Sequence, residues 1–105
     1  MQPVVVQITT NPGTPVQVST SHTKCAAIWA VNLSSQIIAF GNINLNRSTG
    51  AGVIAQVPAL ASGATPDSNI IKLPIDAMAE DPYDAFDYWV DSATAAVINI
   101  IEFIL

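Results

Sequence analysis

The sequence predicts an all-β protein, a small β-sandwich or jelly-roll-like barrel of about eight short strands, with at most one short helical turn near 82–86. Two observations lead there. Short apolar runs alternate with Gly, Pro, Asn, Asp and Ser at intervals of about 8–12 residues, the rhythm of strands and tight turns. The apolar segment 95–104, which could be read as a helix of an α+β domain together with 25–31, is rich in valine and isoleucine, whose branched side chains lose rotamer freedom in a helix. A chain of 105 residues supports one core, so 1–105 reads as a single domain.

Each element has its own signal. Residues 4–9 are mostly β-branched and stop at Asn11-Pro12-Gly13, where proline fixes φ and glycine permits positive φ. Residues 15–19 alternate Val16 and Val18 with Gln17 and Ser19, a strand with one wet face. The run 24–32 is apolar on both alternations, with Cys25, Ala27, Trp29 and Val31 on one and Ala26, Ile28 and Ala30 on the other. That pattern suits a central strand covered on both sides. Residues 36–42 form the next strand, and the short link Leu33-Ser34-Ser35 predicts a hairpin between the two. Ile43-Asn44-Leu45-Asn46 alternates, 47–52 makes a glycine-bearing corner, and 53–57 resumes as a strand.

Residues 58–69 carry the turn pairs Ser62-Gly63, Thr65-Pro66 and Asp67-Ser68. Residues 69–75 return to β character until Pro74 demotes the end to an edge or bulge. Asp81-Pro82 is a helix-start pair, a capping side chain followed by a residue that needs no amide donor. Residues 87–91 alternate acids with Tyr88 and Val90, and 95–104 is the last strand. Val97, Ile101, Phe103 and Leu105 share one of its alternations and Ile98, Ile100 and Ile104 the other. A strand sticky on both faces is either internal or paired with a neighbour.

Composition narrows the function. Hydrophobic residues make up 50% of the chain and charged residues 10%, against roughly 25% charged in an average soluble domain. The net charge is −5, and the cations Lys24, Arg47 and Lys72 are scattered, which argues against nucleic acid and against an anionic membrane surface. No apolar run approaches the ~18 residues of a membrane-spanning helix, and the start lacks the basic and apolar regions of a signal peptide. Synthesis in a cytoplasm is expected. The sequons at Asn32 and Asn46 then carry no weight.

No catalytic or cofactor-binding constellation is legible. The single histidine, His22, sits in the polar turn 19–23 and reads as a solvated loop residue. The lone Cys25, inside an apolar run, reads as a buried thiol. Gly50-Ala51-Gly52 lacks the rest of a phosphate loop. The sharpest feature is the acidic stretch Asp76, Glu80, Asp81, Asp84, Asp87 and Asp91. Calcium takes about 6–8 oxygen ligands, and Asp81, Asp84 and Asp87 are the candidate set. EF-hand spacing is absent and apolar residues thread the acids, so a solvated face is the favoured reading. Trp29, Trp89 and Tyr83 could form a sugar platform, although such aromatics more often belong to a core.

One resemblance emerges from the middle of the chain. The blocks Lys24-Cys25-Ala26-Ala27-Ile28-Trp29-Ala30, Asn32, Ile37-Ile38-Ala39-Phe40-Gly41-Asn42-Ile43-Asn44 and Ser48-Thr49-Gly50-Ala51-Gly52-Val53 resemble small structural proteins of tailed-phage virions. Tyr88-Trp89-Val90-Asp91, followed by Ser92-Ala93-Thr94-Ala95, matches the later part of the same pattern. The similarity covers about 16–57 and 86–104 and departs after Val53, where this chain has Ile54-Ala55-Gln56-Val57-Pro58 in place of a Leu-x-Pro-Gly-Glu turn. The resemblance implies a non-enzymatic head decoration or cement protein that binds the major capsid protein and itself, as a trimer over symmetry axes. A tail or neck protein and a glycan-binding host-recognition module are the alternatives. On this reading Val97, Ile98, Ile100, Ile101, Phe103 and Leu105 are the candidate contact residues, and no cofactor is expected.

Overall fold

The computed structural model describes residues 2–60, 68–73 and 83–105. The nine strands among them are β1 (Gln2–Thr9), β2 (Val16–Gln17), β3 (Lys24–Asn32), β4 (Ile38–Gly41), β5 (Val53–Val57), β6 (Ile70–Leu73), β7 (Tyr83–Asp84), β8 (Trp89–Ser92) and β9 (Val97–Ile104). They form two antiparallel sheets. One runs β1-β9-β3-β6, with the short β7 also on β3, and the other runs β2-β8-β4-β5. The only helical turn among the described residues is a 3-10 turn, Ala85–Asp87. The all-β sandwich that the sequence predicts is the fold observed.

The pairing is nested. β1 pairs with β9, β2 with β8, β3 with β6 and β4 with β5, so the chain is one long folded ribbon whose tip is the β4–β5 hairpin. The ribbon is wrapped by two further pairings, β9 with β3 and β8 with β4. Eight strands in this order make a jelly roll, with β7 as an addition. Consecutive strands stay in one sheet only at β4–β5 and β6–β7.

The β3–β4 link is therefore not the hairpin that its length suggests, because β3 and β4 lie in opposite sheets. Asn32 explains the difference. Its side chain is fully buried, and its Nδ2 donates to the carbonyls of Gln36 (2.6 Å) and Val57 (3.2 Å). Its Oδ1 accepts from the Ser34 amide (2.9 Å) and hydroxyl (2.8 Å). Its backbone N–H donates to Asn69 O, and its carbonyl accepts from Asn69 Nδ2. One residue thus satisfies the polar groups of an arch that carries the chain across the sandwich.

The core lies between the sheets. Ile28, Ala30, Leu73, Ile98 and Ile100 face Ile38, Phe40, Val57 and Val90, each at most 1% exposed. Burying each of the larger side chains contributes about 1.5–3 kcal/mol. Phe40 stacks on Tyr88 with ring centroids 5.2 Å apart. A bulge between Cys25 and Ala27 shifts the phase of β3. Cys25 consequently joins Ile28 inside, while Ala27, Trp29 and Val31 face outward, so the uniform alternation expected along 24–32 is broken there. The stretch 43–46, expected to alternate as a strand, is instead part of the β4–β5 connection, which packs Leu45 against Gly41. A Cβ on Gly41 would collide with the Gly52 carbonyl, and Gly52 itself has φ +69°, so both positions require glycine.

Asn32→Ala removes a buried side-chain amide that satisfies partners on two segments, the 34–36 arch and β5. It is expected to cost about 2–4 kcal/mol, read as a fall in the urea midpoint with an unchanged slope.

Candidate functional site

The strand register sets four rows of outward side chains across the five-stranded sheet. Pro3, Phe103 and Ala27 stand side by side, followed by Val5, Ile101, Trp29 and Lys72. The next row is Gln7, Asn99, Val31 and Ile70, and the last is Thr9 and Val97. The first two rows make a continuous apolar surface over β1, β9 and β3. Trp29 and Phe103 pack with centroids 4.9 Å apart at 58°. The Lys72 ammonium sits 4.3 Å from the Trp29 ring centroid, a cation–π contact that leaves Lys72 at the margin of the face. Gln7 Nε2 donates to Asn99 Oδ1 at 3.1 Å, which closes the apolar part with a polar stripe. Val5 is 58% exposed.

Of the residues singled out from the sequence, Val97, Ile101 and Phe103 lie on this face. Leu105 is exposed just beyond the end of β9. Ile98 and Ile100 do not belong with them: both are fully buried, because β9 is internal and its alternate residues point into the sandwich. Val5, Ala27, Trp29, Val31 and Ile70 complete the face. Their membership depends on register and on the β3 bulge, neither of which is local in sequence.

Of the acidic candidates, Asp84 and Asp87 lie among the described residues. Asp84 caps the 3-10 turn, its Oδ1 accepting from the amides of Thr23 (2.9 Å) and Phe86 (3.0 Å). Its Oδ2 lies 2.6 Å from His22 Nδ1, and the His22 ring stacks on Phe86 at 4.2 Å. Burial opposes ionisation of Asp84, but these hydrogen bonds and the His22 ring outweigh it and hold the carboxyl below the ordinary aspartate value. Asp87 is exposed on the turn, and Asp81, with its expected capping role, lies outside the described residues. No group of three metal-ligating side chains gathers among the described residues. His22, expected as a solvated loop residue, is exposed in its loop and is held there by Asp84 and Phe86. The nearby hydroxyls of Ser19 and Thr23 donate to the Ser21 carbonyl.

Two other groups are buried. Cys25 is fully inside, and burial, followed by the negative charges of Glu102 and Asp84, pushes its thiol up to about 11. That keeps the thiol neutral and unreactive. Glu102 is 4% exposed on the inner side of β9, and its Oε2 has no hydrogen-bond partner among the described residues. On the other sheet an open cleft of about 670 Å³ is lined by Ser35, Gln36, Ile37, Arg47, Gln56 and Ala93. Arg47 Nε approaches the buried Asp91 Oδ2 at 3.9 Å beside it. The aromatic residues considered for a sugar platform do not line this cleft: Tyr83 is buried, Trp29 is engaged by Lys72 and Phe103, and Trp89 is half-buried on β8.

No protein-family model, curated protein or solved structure matches the chain. Among the described residues no helix is long and apolar enough to cross a membrane.

Burial raises the Glu102 carboxyl above the ordinary glutamate value. Its contribution is therefore most favourable while it is protonated and is lost as pH rises through the folded value. Glu102→Gln is expected to raise the melting midpoint at pH 8 by about 4–8 °C, for ~1 kcal/mol of relieved burial. The gain should vanish below the ordinary glutamate range, as differential scanning calorimetry across pH would show.

Proposed function

We propose that the chain is a non-catalytic structural protein of a tailed-phage virion, made in the host cytoplasm, which decorates or cements the capsid shell by bridging its subunits. The observation that carries this reading is the outer face of the five-stranded sheet. Its two apolar rows, Pro3 to Ala27 and Val5 to Trp29, present large side chains on a folded strand surface, where an isolated domain ordinarily carries polar ones. Such a face is an assembly surface, covered when the protein works.

Other features agree with an assembling role. Charged residues are only 10% of the chain, and several are already engaged internally: Asp84 in its cap, Asp91 beside Arg47, and Glu102 in the core. The jelly-roll architecture serves viral capsid proteins, but also lectins and cupins, so it is compatible with this reading without choosing it. The expected partners are the major capsid protein and further copies of the chain. A tail or neck position would use the same surface. The glycan-binding alternative has less support, because no aromatic side chain lines the polar cleft around Arg47.

Purified protein mixed with heads that lack it is expected to bind to saturation, at a fixed number of copies per capsomer by quantitative mass spectrometry. Absence of the protein from purified virions, together with no binding to such heads, would overturn the proposal.

A further inference from the structure

We propose that the outer face of the five-stranded sheet is covered by the same face of a second copy, in a back-to-back dimer related by a twofold axis. This rests on the assembly surface described above but not on the particle that it serves.

Size is the first argument. Four strands ~4.8 Å apart, three of them eight or nine residues long at ~3.3 Å each, offer on the order of 500 Å² in projection. Two such faces together cover about 1,000 Å², the lower bound of a specific interface. The arrangement of side chains is the second. Ile101, Phe103 and Trp29 form an apolar centre on β9 and β3 that Pro3 and Val5 extend onto β1, while Gln7, Asn99 and Thr9 border it at one end and Lys72 at the β6 edge. An apolar centre bordered by polar side chains is a feature of protein interfaces.

Symmetry decides the occupant. A broad face of this kind can complement itself under a twofold axis, each contact occurring twice, whereas a ring of three copies needs two different patches per copy. Charge agrees with self-pairing. Lys72 is the one charged side chain in the four rows among the described residues, and it stands over Trp29 at the β6 margin. A twofold axis near β9 and β3 separates the two lysines to opposite margins, so no like charges meet. The two faces would stack as layers do in a sandwich, ~10 Å apart and about 30° from parallel. Both four-stranded sheets then point outward in opposite directions. One dimer thus presents two equal free surfaces, each with its Arg47 cleft, which is the geometry of a bivalent bridge.

The test is solution mass by light scattering over a dilution series, for the wild type, Val5→Glu and Ile37→Glu. Val5 and Ile37 are each 58% exposed, so neither substitution places charge in the core; Val5 lies on the proposed face and Ile37 on the opposite sheet's cleft. The wild type and I37E are expected to be dimers. V5E is expected to dissociate at least about 100-fold more readily, since each copy would bury an unpaired carboxylate. Val5→Thr, similar in shape and uncharged, serves as a second variant should V5E melt early; about 10-fold weaker pairing is expected from two buried hydroxyls. A wild type that is monomeric throughout, a trimer, or a dimer that the Val5 variants leave intact would each overturn the proposal. A monomer that still binds heads would sink the dimer alone, and a dimer that binds no head would sink the virion function alone.

Discussion

Everything in this fold depends on where the chain goes after Asn32. A hairpin at that point would lay β4 against β3 and occupy an edge that the structure gives to another strand. By clasping Gln36, Val57, Ser34 and Asn69 instead, Asn32 sends the chain across to the opposite sheet. β3 keeps both edges, taking β9 on one side and β6 with β7 on the other. β9 in turn holds β1 on its far edge. The inner face of the large sheet, which is core, and its apolar outer face both follow from those pairings.

This also explains what could be read from the sequence. β3 and β5 have the predicted bounds, and β1 and β9 differ by only two residues at one end, because turn chemistry and β-branched runs are local properties. The arch was not legible, since Leu33-Ser34-Ser35 suits a hairpin as well as a crossing and only the buried amide distinguishes them. The bulge at Ala26 was hidden for a related reason: both alternations of β3 are apolar, so a shift in phase leaves no mark on the pattern. Part of the apolar outer face was visible as Val97, Ile101 and Phe103. The rest depended on which strands lie beside β9 and in what register.

The distribution of charge fits the same picture. Asp84 is committed to a turn, Asp91 is buried beside Arg47, and Lys72 covers an indole ring. Glu102 is the exception, a carboxyl inside the sandwich beneath the outward row of Val5, Ile101 and Trp29, raised by burial and without a hydrogen bond at Oε2. Its register neighbours, Val4 and Ile28, offer it no polar group from their side chains. It is therefore a local weakness among the apolar side chains of the core.

The nested ribbon has a consequence for how the chain acquires its shape. β1 pairs along its whole length with β9, so it finds its partner only after about ninety further residues have been synthesised. Long-range pairing of this kind makes folding slow, and unpaired strands are prone to aggregation meanwhile. The apolar outer face does not exist until β1, β9 and β3 are side by side, so a chain that lacks β9 has no such face. Topology thus orders events in time, with the outer face completed only once the long-range pairing is made.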